Sequence, residues 1–69
     1  MKVERYRQIA KTLISELHSG KYNTGDIFPI RSELAKRFKT TRSTVNRAME
    51  ELIGRGYLTA KRGAGTVVA

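Results

Sequence analysis

The sequence predicts a mostly α-helical domain with a small β-sheet, and three observations lead there. Two long segments repeat apolar residues at helical spacing, and a shorter helical pattern lies just before the second of them. The C-terminal residues then form two short β-prone runs around a glycine-rich, basic tip. At 69 residues the chain is long enough for one small domain, which buries only about 60% of its unfolded surface. Residues 1–69 are therefore expected to be a single domain without a deep active site.

The first segment, Val3 to Ser19, places Tyr6, Ile9, Ala10, Leu13, Ile14 and Leu17 at intervals that put them on one helical face. Gly20 is suited to end this helix in a left-handed cap. Asn23, Thr24, Gly25 and Asp26 are turn formers, and Ile27-Phe28 reads as a short strand stopped by Pro29. A second helix is expected from Arg31 or Ser32 to Phe38, burying Leu34, Ala35 and Phe38 and leaving Lys36, Arg37 and Lys39 in water.

After a polar break, Thr41 can cap a third helix with its hydroxyl. Its buried side is set by Val45, Ala48, Met49, Leu52 and Ile53, and Gly54 and Gly56 mark its exit. Tyr57 to Ala60 and Thr66 to Val68 are the expected strands of a hairpin, joined by Lys61-Arg62-Gly63-Ala64-Gly65. Two strands alone are marginal, so the hairpin should pack on the helices through Leu58, Val67 and Val68, with Ile27-Phe28 as a third strand. Helix, short strand, helix, helix and hairpin in that order make a winged helix-turn-helix.

The formal net charge is +8 and the sequence pI about 10.5, which favours a polyanionic partner, nucleic acid or an acidic membrane surface. The charge is uneven. Met1 to Ile30 carries five Lys/Arg against three acids, and Arg31 to Ala69 carries nine against three. Lys36, Arg37, Lys39, Arg42 and Arg47 fall in a stretch with no acid, which is either a solvated face or a binding one.

There is no cysteine, so disulfides and thiolate zinc sites are excluded. No run approaches the roughly 18 apolar residues of a membrane span, and no signal-peptide core follows the charged N-terminus. A cytoplasmic protein is expected. The six acids are scattered and His18 is the single histidine, so neither a catalytic arrangement nor a metal or cofactor site is expected, and the chain does not read as an enzyme.

On the third helix, a rotation of about 100° per residue gathers Val45, Ala48, Met49 and Leu52 on one side and sends Ser43, Asn46, Arg47 and Glu50 to the other. Arg42 sits at the helix start, between the two. A helix lying in the major groove reads bases mainly from its N-terminal residues. Arg42 and Arg47 each have the fork that matches guanine O6 and N7, and Asn46 has the equivalent for adenine. Asn46 and Arg47 are equally well read as solvated helix residues. The hydroxyls of Thr41, Ser43 and Thr44 can hold phosphates, and that of Thr41 is also explained as a cap.

Several short segments resemble, in order and in register, the DNA-binding domain of the GntR family of bacterial transcriptional regulators. They are Tyr6-Arg7-Gln8-Ile9-Ala10, Ser19-Gly20-Lys21, Gly25-Asp26-Ile27-Phe28-Pro29, Glu33-Leu34-Ala35, Thr41-Arg42-Ser43-Thr44-Val45 and Gly63-Ala64-Gly65-Thr66-Val67-Val68. The resemblance implies a winged helix-turn-helix that binds palindromic double-stranded operator DNA as a dimer, most often to repress transcription. By position, Thr41, Arg42, Ser43 and Thr44 inherit operator contacts in the major groove, and Arg62 and Gly63 those of the wing in the minor groove. A cation suits the negative potential of a narrow groove, and glycine permits close approach, although Gly63 and Gly65 are also explained by turn geometry.

Two positions depart from the family pattern. Relatives commonly carry Ser-Glu-Arg-Glu after the proline, with the arginine on DNA, where this chain has Ile30-Arg31-Ser32-Glu33. Ser32 holds the arginine's place, and Arg31 is one residue, or about 100°, away from it. Asn46 stands where many relatives have arginine, which points to a change of base preference or its loss.

The resemblance also implies a C-terminal domain for dimerisation and small-molecule effector binding, so residues 1–69 are expected to be the N-terminal fragment of a longer regulator. Two other functions remain open from sequence. One is a basic RNA or single-strand binding module, for which only Tyr22 of the five aromatics is free of an expected packing role. The other is a winged helix that uses its basic face for protein contacts.

Overall fold

Everything in the domain is arranged about one buried helix. In the computed structural model, which describes residues 5–63 and 65–69, the order is α1 (Arg5–His18), α2 (Arg31–Arg37), α3 (Arg42–Gly54), β1 (Leu58–Lys61) and β2 (Gly65–Val68). The expected first residues of helix one, Val3 and Glu4, and Ala64 of the hairpin tip lie outside the described residues. Helix α3 packs against α1, α2 and β1, so its apolar stripe forms the centre of the core.

That stripe is the expected one: Val45, Ala48 and Leu52 are wholly inaccessible and Met49 nearly so. Ile9 and Leu13 of α1, Leu34 of α2, Phe28 and Leu58 close around them. Ile53, expected inside, is only half-buried at the rim with Tyr6, Ile14, Leu17 and Phe38. In a domain this small, truncating Leu13 or Leu52 to alanine removes about 2–5 kcal/mol, a large part of the total stability.

The helix ends follow local chemistry. Gly20, just past α1, has φ of 87° and supplies the left-handed turn that L-residues resist. Helix α3 closes in a Schellman motif, with Tyr57 N–H donating to Leu52 O at 3.0 Å and Gly56 N–H to Ile53 O at 3.0 Å. Helix α2 closes in the same way, Thr40 N–H reaching Ala35 O at 2.9 Å and Lys39 N–H reaching Lys36 O at 3.2 Å. Here the left-handed position is filled by a lysine, Lys39, with φ of 53°. The guanidinium of Arg5 adds a bond to the carbonyl of Phe38 at 2.7 Å, tying the head of α1 to the end of α2.

β1 and β2 pair antiparallel, Leu58 opposite Val68 and Lys61 opposite Gly65. Each strand is displaced by one residue from its expected limits at one or both ends. Tyr57 is claimed by the α3 cap, and Lys61 and Gly65 extend the ladder toward the tip. Ile27 forms a single bridge to Val67, and Phe28 N–H donates to Thr66 O at 2.8 Å. The expected third strand is thus one bridge long, and the chain enters α2 at Arg31 soon after it. It is enough to bury Phe28 and to cover Val67 and Val68. Three helices and a two-stranded hairpin give a winged helix-turn-helix.

Candidate nucleic-acid interface

The first turn of α3 is built from Thr41, whose extended backbone and hydroxyl make the cap. Its Oγ1 accepts from Thr44 N–H at 3.2 Å and lies 3.0 Å from Thr44 Oγ1. Both threonine hydroxyls are therefore engaged in the cap, while Ser43 is exposed beside them. Arg42 follows the cap directly and is exposed. With Ile27, Ile30, Arg31, Ser32 and Gly65 it lines a shallow depression of about 240 Å³ between the start of α2 and the hairpin.

Since Gly65 pairs with Lys61 as the last rung of the hairpin, the tip with Arg62 and Gly63 lies immediately beyond this depression. Gly63 has φ of 82° and Gly65 of 86°, and nothing lies within 4 Å of where a side chain would begin. Turn geometry alone accounts for both glycines. Arg62 is exposed on the turn.

The depression gathers Arg31, Ser32 and Arg42 against the wing. Asn46 joins them through a bond that spans 15 residues of sequence: Arg31 Nε donates to Asn46 Oδ1 at 2.7 Å, with both side chains half-buried. One of the two acceptor positions of the Asn46 amide oxygen is thus taken by Arg31. Arg47 takes the other edge of α3. Its guanidinium lies 4.4 Å from the centre of the Tyr6 ring of α1, a cation–π stack. Arg47 is exposed but does not share the depression with Arg42.

Among the described residues no carboxylate pairs with Arg31, Arg42 or Arg62. Carboxylates hold other cations. Glu16 takes Arg37 and lies 3.7 Å from Lys21, and Glu51 binds Arg55 at 2.7 Å. The hydrogen bond from Arg37 holds the Glu16 carboxyl below the usual carboxylate range, and the same bond raises Arg37. Tyr22, the one aromatic left free by sequence reasoning, is half-buried with its ring 5.0 Å from that of Phe28.

Two features of this surface escaped sequence reasoning, and a third, the uncapped start of α2, follows from Ile30 standing in the place of the family's capping serine. The Arg31–Asn46 bond joins the neighbour of one departure, Ser32, to the other, Asn46, and nothing in their separation signals it. Ile30 stands at the α2 cap position without a side-chain cap, 60% exposed, and Ile27 is 67% exposed beside it. The signal for Ile30 was present, since isoleucine cannot accept a hydrogen bond. The left-handed Lys39 had none, because glycine or asparagine is the residue that announces such a turn.

A model of the family described as bacterial regulatory proteins, gntR family, matches residues 5–68. The chain belongs to the gntR family. It is 38% identical over 64 residues to the probable transcriptional regulator PhnF of Escherichia coli (strain K12), covering 93% of this chain and 26% of that protein. It is 36% identical over 64 residues to the histidine utilization repressor of Klebsiella aerogenes, covering 93% of this chain and 27% of that one. The chain thus spans about a quarter of the length of these gntR relatives. The crystal structure of AraR(DBD) in complex with operator ORR3 superposes with a TM-score of 0.91 at 29% identity, over all of this chain and 83% of that one. The gntR domain described here therefore has the winged fold of a protein crystallised on its operator.

Proposed function

We propose that this chain binds double-stranded operator DNA sequence-specifically, as the DNA-binding domain of a cytoplasmic bacterial regulator that represses transcription. One observation carries the reading. Arg31, Arg42 and Asn46 converge beside the wing at the exposed start of α3, and no carboxylate neutralises the two arginines among the described residues. A helix start in the major groove reads base edges, while Arg62 at the wing tip suits the narrow, electronegative minor groove. AraR(DBD) in complex with operator supports the docking, and the histidine utilization repressor supports the sign of regulation.

The finer parts of this reading concern the whole protein. It pairs on a palindromic operator, each copy reading one half-site, with dimerisation and small-molecule effector binding carried outside these 69 residues. An RNA or single-strand function would use exposed aromatics for stacking. Tyr22 is packed against Phe28 instead, which favours the duplex.

The test starts from a duplex selected out of a randomised pool by this chain. That duplex, its scrambled version and a single-stranded RNA of equal length then compete for the protein in an anisotropy titration. The selected duplex should win, and its affinity should fall steeply with salt, by about 0.9 in log–log slope for each phosphate neutralised. Equal binding to all three would sink the proposal.

A further inference from the structure

Arg31 stands next to the departure at Ser32, Asn46 is the other departure from the family pattern, and the structure joins the two. The bond runs from Arg31 Nε to Asn46 Oδ1 at 2.7 Å, between the first residue of α2 and the second turn of α3. An arginine whose Nε is already bonded has its guanidinium plane fixed, and its two terminal nitrogens remain as a fork. That fork is the group that matches the O6 and N7 of guanine. Asn46 lies one helical turn beyond Arg42 on the same edge of α3, and Arg31 and Arg42 line the same depression. The fork is therefore held beside the residue that heads the recognition helix.

The alternatives for this bond are weaker. As a purely structural clasp it would leave a cation half-buried against a neutral partner, with no carboxylate among the described residues to compensate it. The α1–α2 seam does the opposite, since Arg37 is held there by Glu16. As a simple phosphate contact, Arg31 would need no fixed plane. A neutral amide orients the guanidinium and leaves its charge for a ligand.

We propose that Arg31 and Asn46 form one base-reading unit: Asn46 positions Arg31, and Arg31 reads a guanine in each half-site from the start of α2. The unit takes over a task that Ser32 cannot perform and that Asn46 does not perform by itself. It rests on the duplex-binding reading above.

The test is sequence selection from a randomised duplex pool with the whole chain and with Arg31→Ala, Asn46→Ala, the double variant and Arg31→Lys, each checked by thermal melting. The parent chain should prefer guanine at one half-site position by roughly 5- to 150-fold, the range of one forked contact. Arg31→Ala should lose that preference, Asn46→Ala should weaken it at the same position, and the double variant should equal Arg31→Ala. Arg31→Lys keeps the charge but has no Nε for Asn46 to hold and should weaken it. Unchanged preference in folded Arg31→Ala or Arg31→Lys overturns the unit while leaving DNA binding intact. Effects of the two single variants at different base pairs, or additive effects, overturn the coupling. If the parent chain selects no sequence at all, the duplex-binding reading fails first and takes the unit with it.

Discussion

The seam between α1 and α2 and the mouth between α2, α3 and the wing both carry arginines, and they use them in opposite ways. At the seam Glu16 accepts from Arg37, with Nη1 3.0 Å from Oε1, and Lys21 stands 3.7 Å away. At the mouth Arg31 has a neutral amide for a partner and Arg42 meets no carboxylate among the described residues. Charge compensated at the seam serves the fold. Charge left uncompensated at the mouth adds self-repulsion to a chain already at +8, and that cost is offset only when a polyanion binds.

The largest expected effect that separates the two regions comes from Arg42. Replacing it with alanine should reduce discrimination between the selected and the scrambled duplex by about 1–3 kcal/mol. Arg37→Ala should leave that ratio unchanged and act only on stability. Lys36→Ala, which removes an exposed cation of α2, should weaken both duplexes nearly equally. Titrating the three variants against both duplexes checks the division, and a loss of discrimination in Arg37→Ala equal to that in Arg42→Ala would erase it.

Lys39 offers a test between the two regions, in the turn that joins α2 to α3. A lysine at φ of 53° occupies a conformation that favours glycine, at a cost of about 1–2 kcal/mol. Glycine there would lose about 0.4–1 kcal/mol through the entropy of the unfolded chain. Lys39→Gly should therefore gain on the order of 0.5–1 kcal/mol, seen as a rise of several degrees in Tm. If the lysine is retained for a phosphate, the same variant should bind DNA with a salt slope smaller by about 0.9. A higher Tm with an unchanged slope would leave Lys39 outside the mouth's set of cations.

Much of this was legible in the sequence where periodicity carried it. The stripe of Val45, Ala48, Met49 and Leu52 fixed both the buried side of α3 and, by subtraction, the exposed one. Thr41 announced its cap, and Gly20 and Gly56 announced their turns. What was not legible depends on which elements meet. The stack of Arg47 on Tyr6 requires α1 to lie along α3, and the Arg31–Asn46 bond requires the start of α2 to face the second turn of α3. Neither residue pair has a local pattern. The third strand is as short as the two-residue run Ile27-Phe28 and the following Pro29 announce, a single bridge with Phe28 N–H bonded to Thr66 O.

The smallest expected effect belongs to the seam, and its sign follows from Glu16. Its carboxyl is held below the ordinary value of 4.5 first of all by the hydrogen bond from Arg37, against the opposing influence of burial. A depressed folded pKa means that the pair contributes its stability above the unfolded value, near 4.5, and loses it as the pH falls through the lower folded one. The contribution is modest because the Arg37 side chain is 40% exposed and the pair is screened by water, which keeps it within about 0.2–1 kcal/mol. Melting curves of the parent chain and of Glu16→Gln should therefore differ at pH 7 and converge as the pH falls through the depressed folded value, where the parent carboxylate is protonated too. DNA discrimination at neutral pH should be the same for both proteins. A Glu16→Gln variant that lost base preference without losing stability would show that the seam's cations belong to the mouth after all.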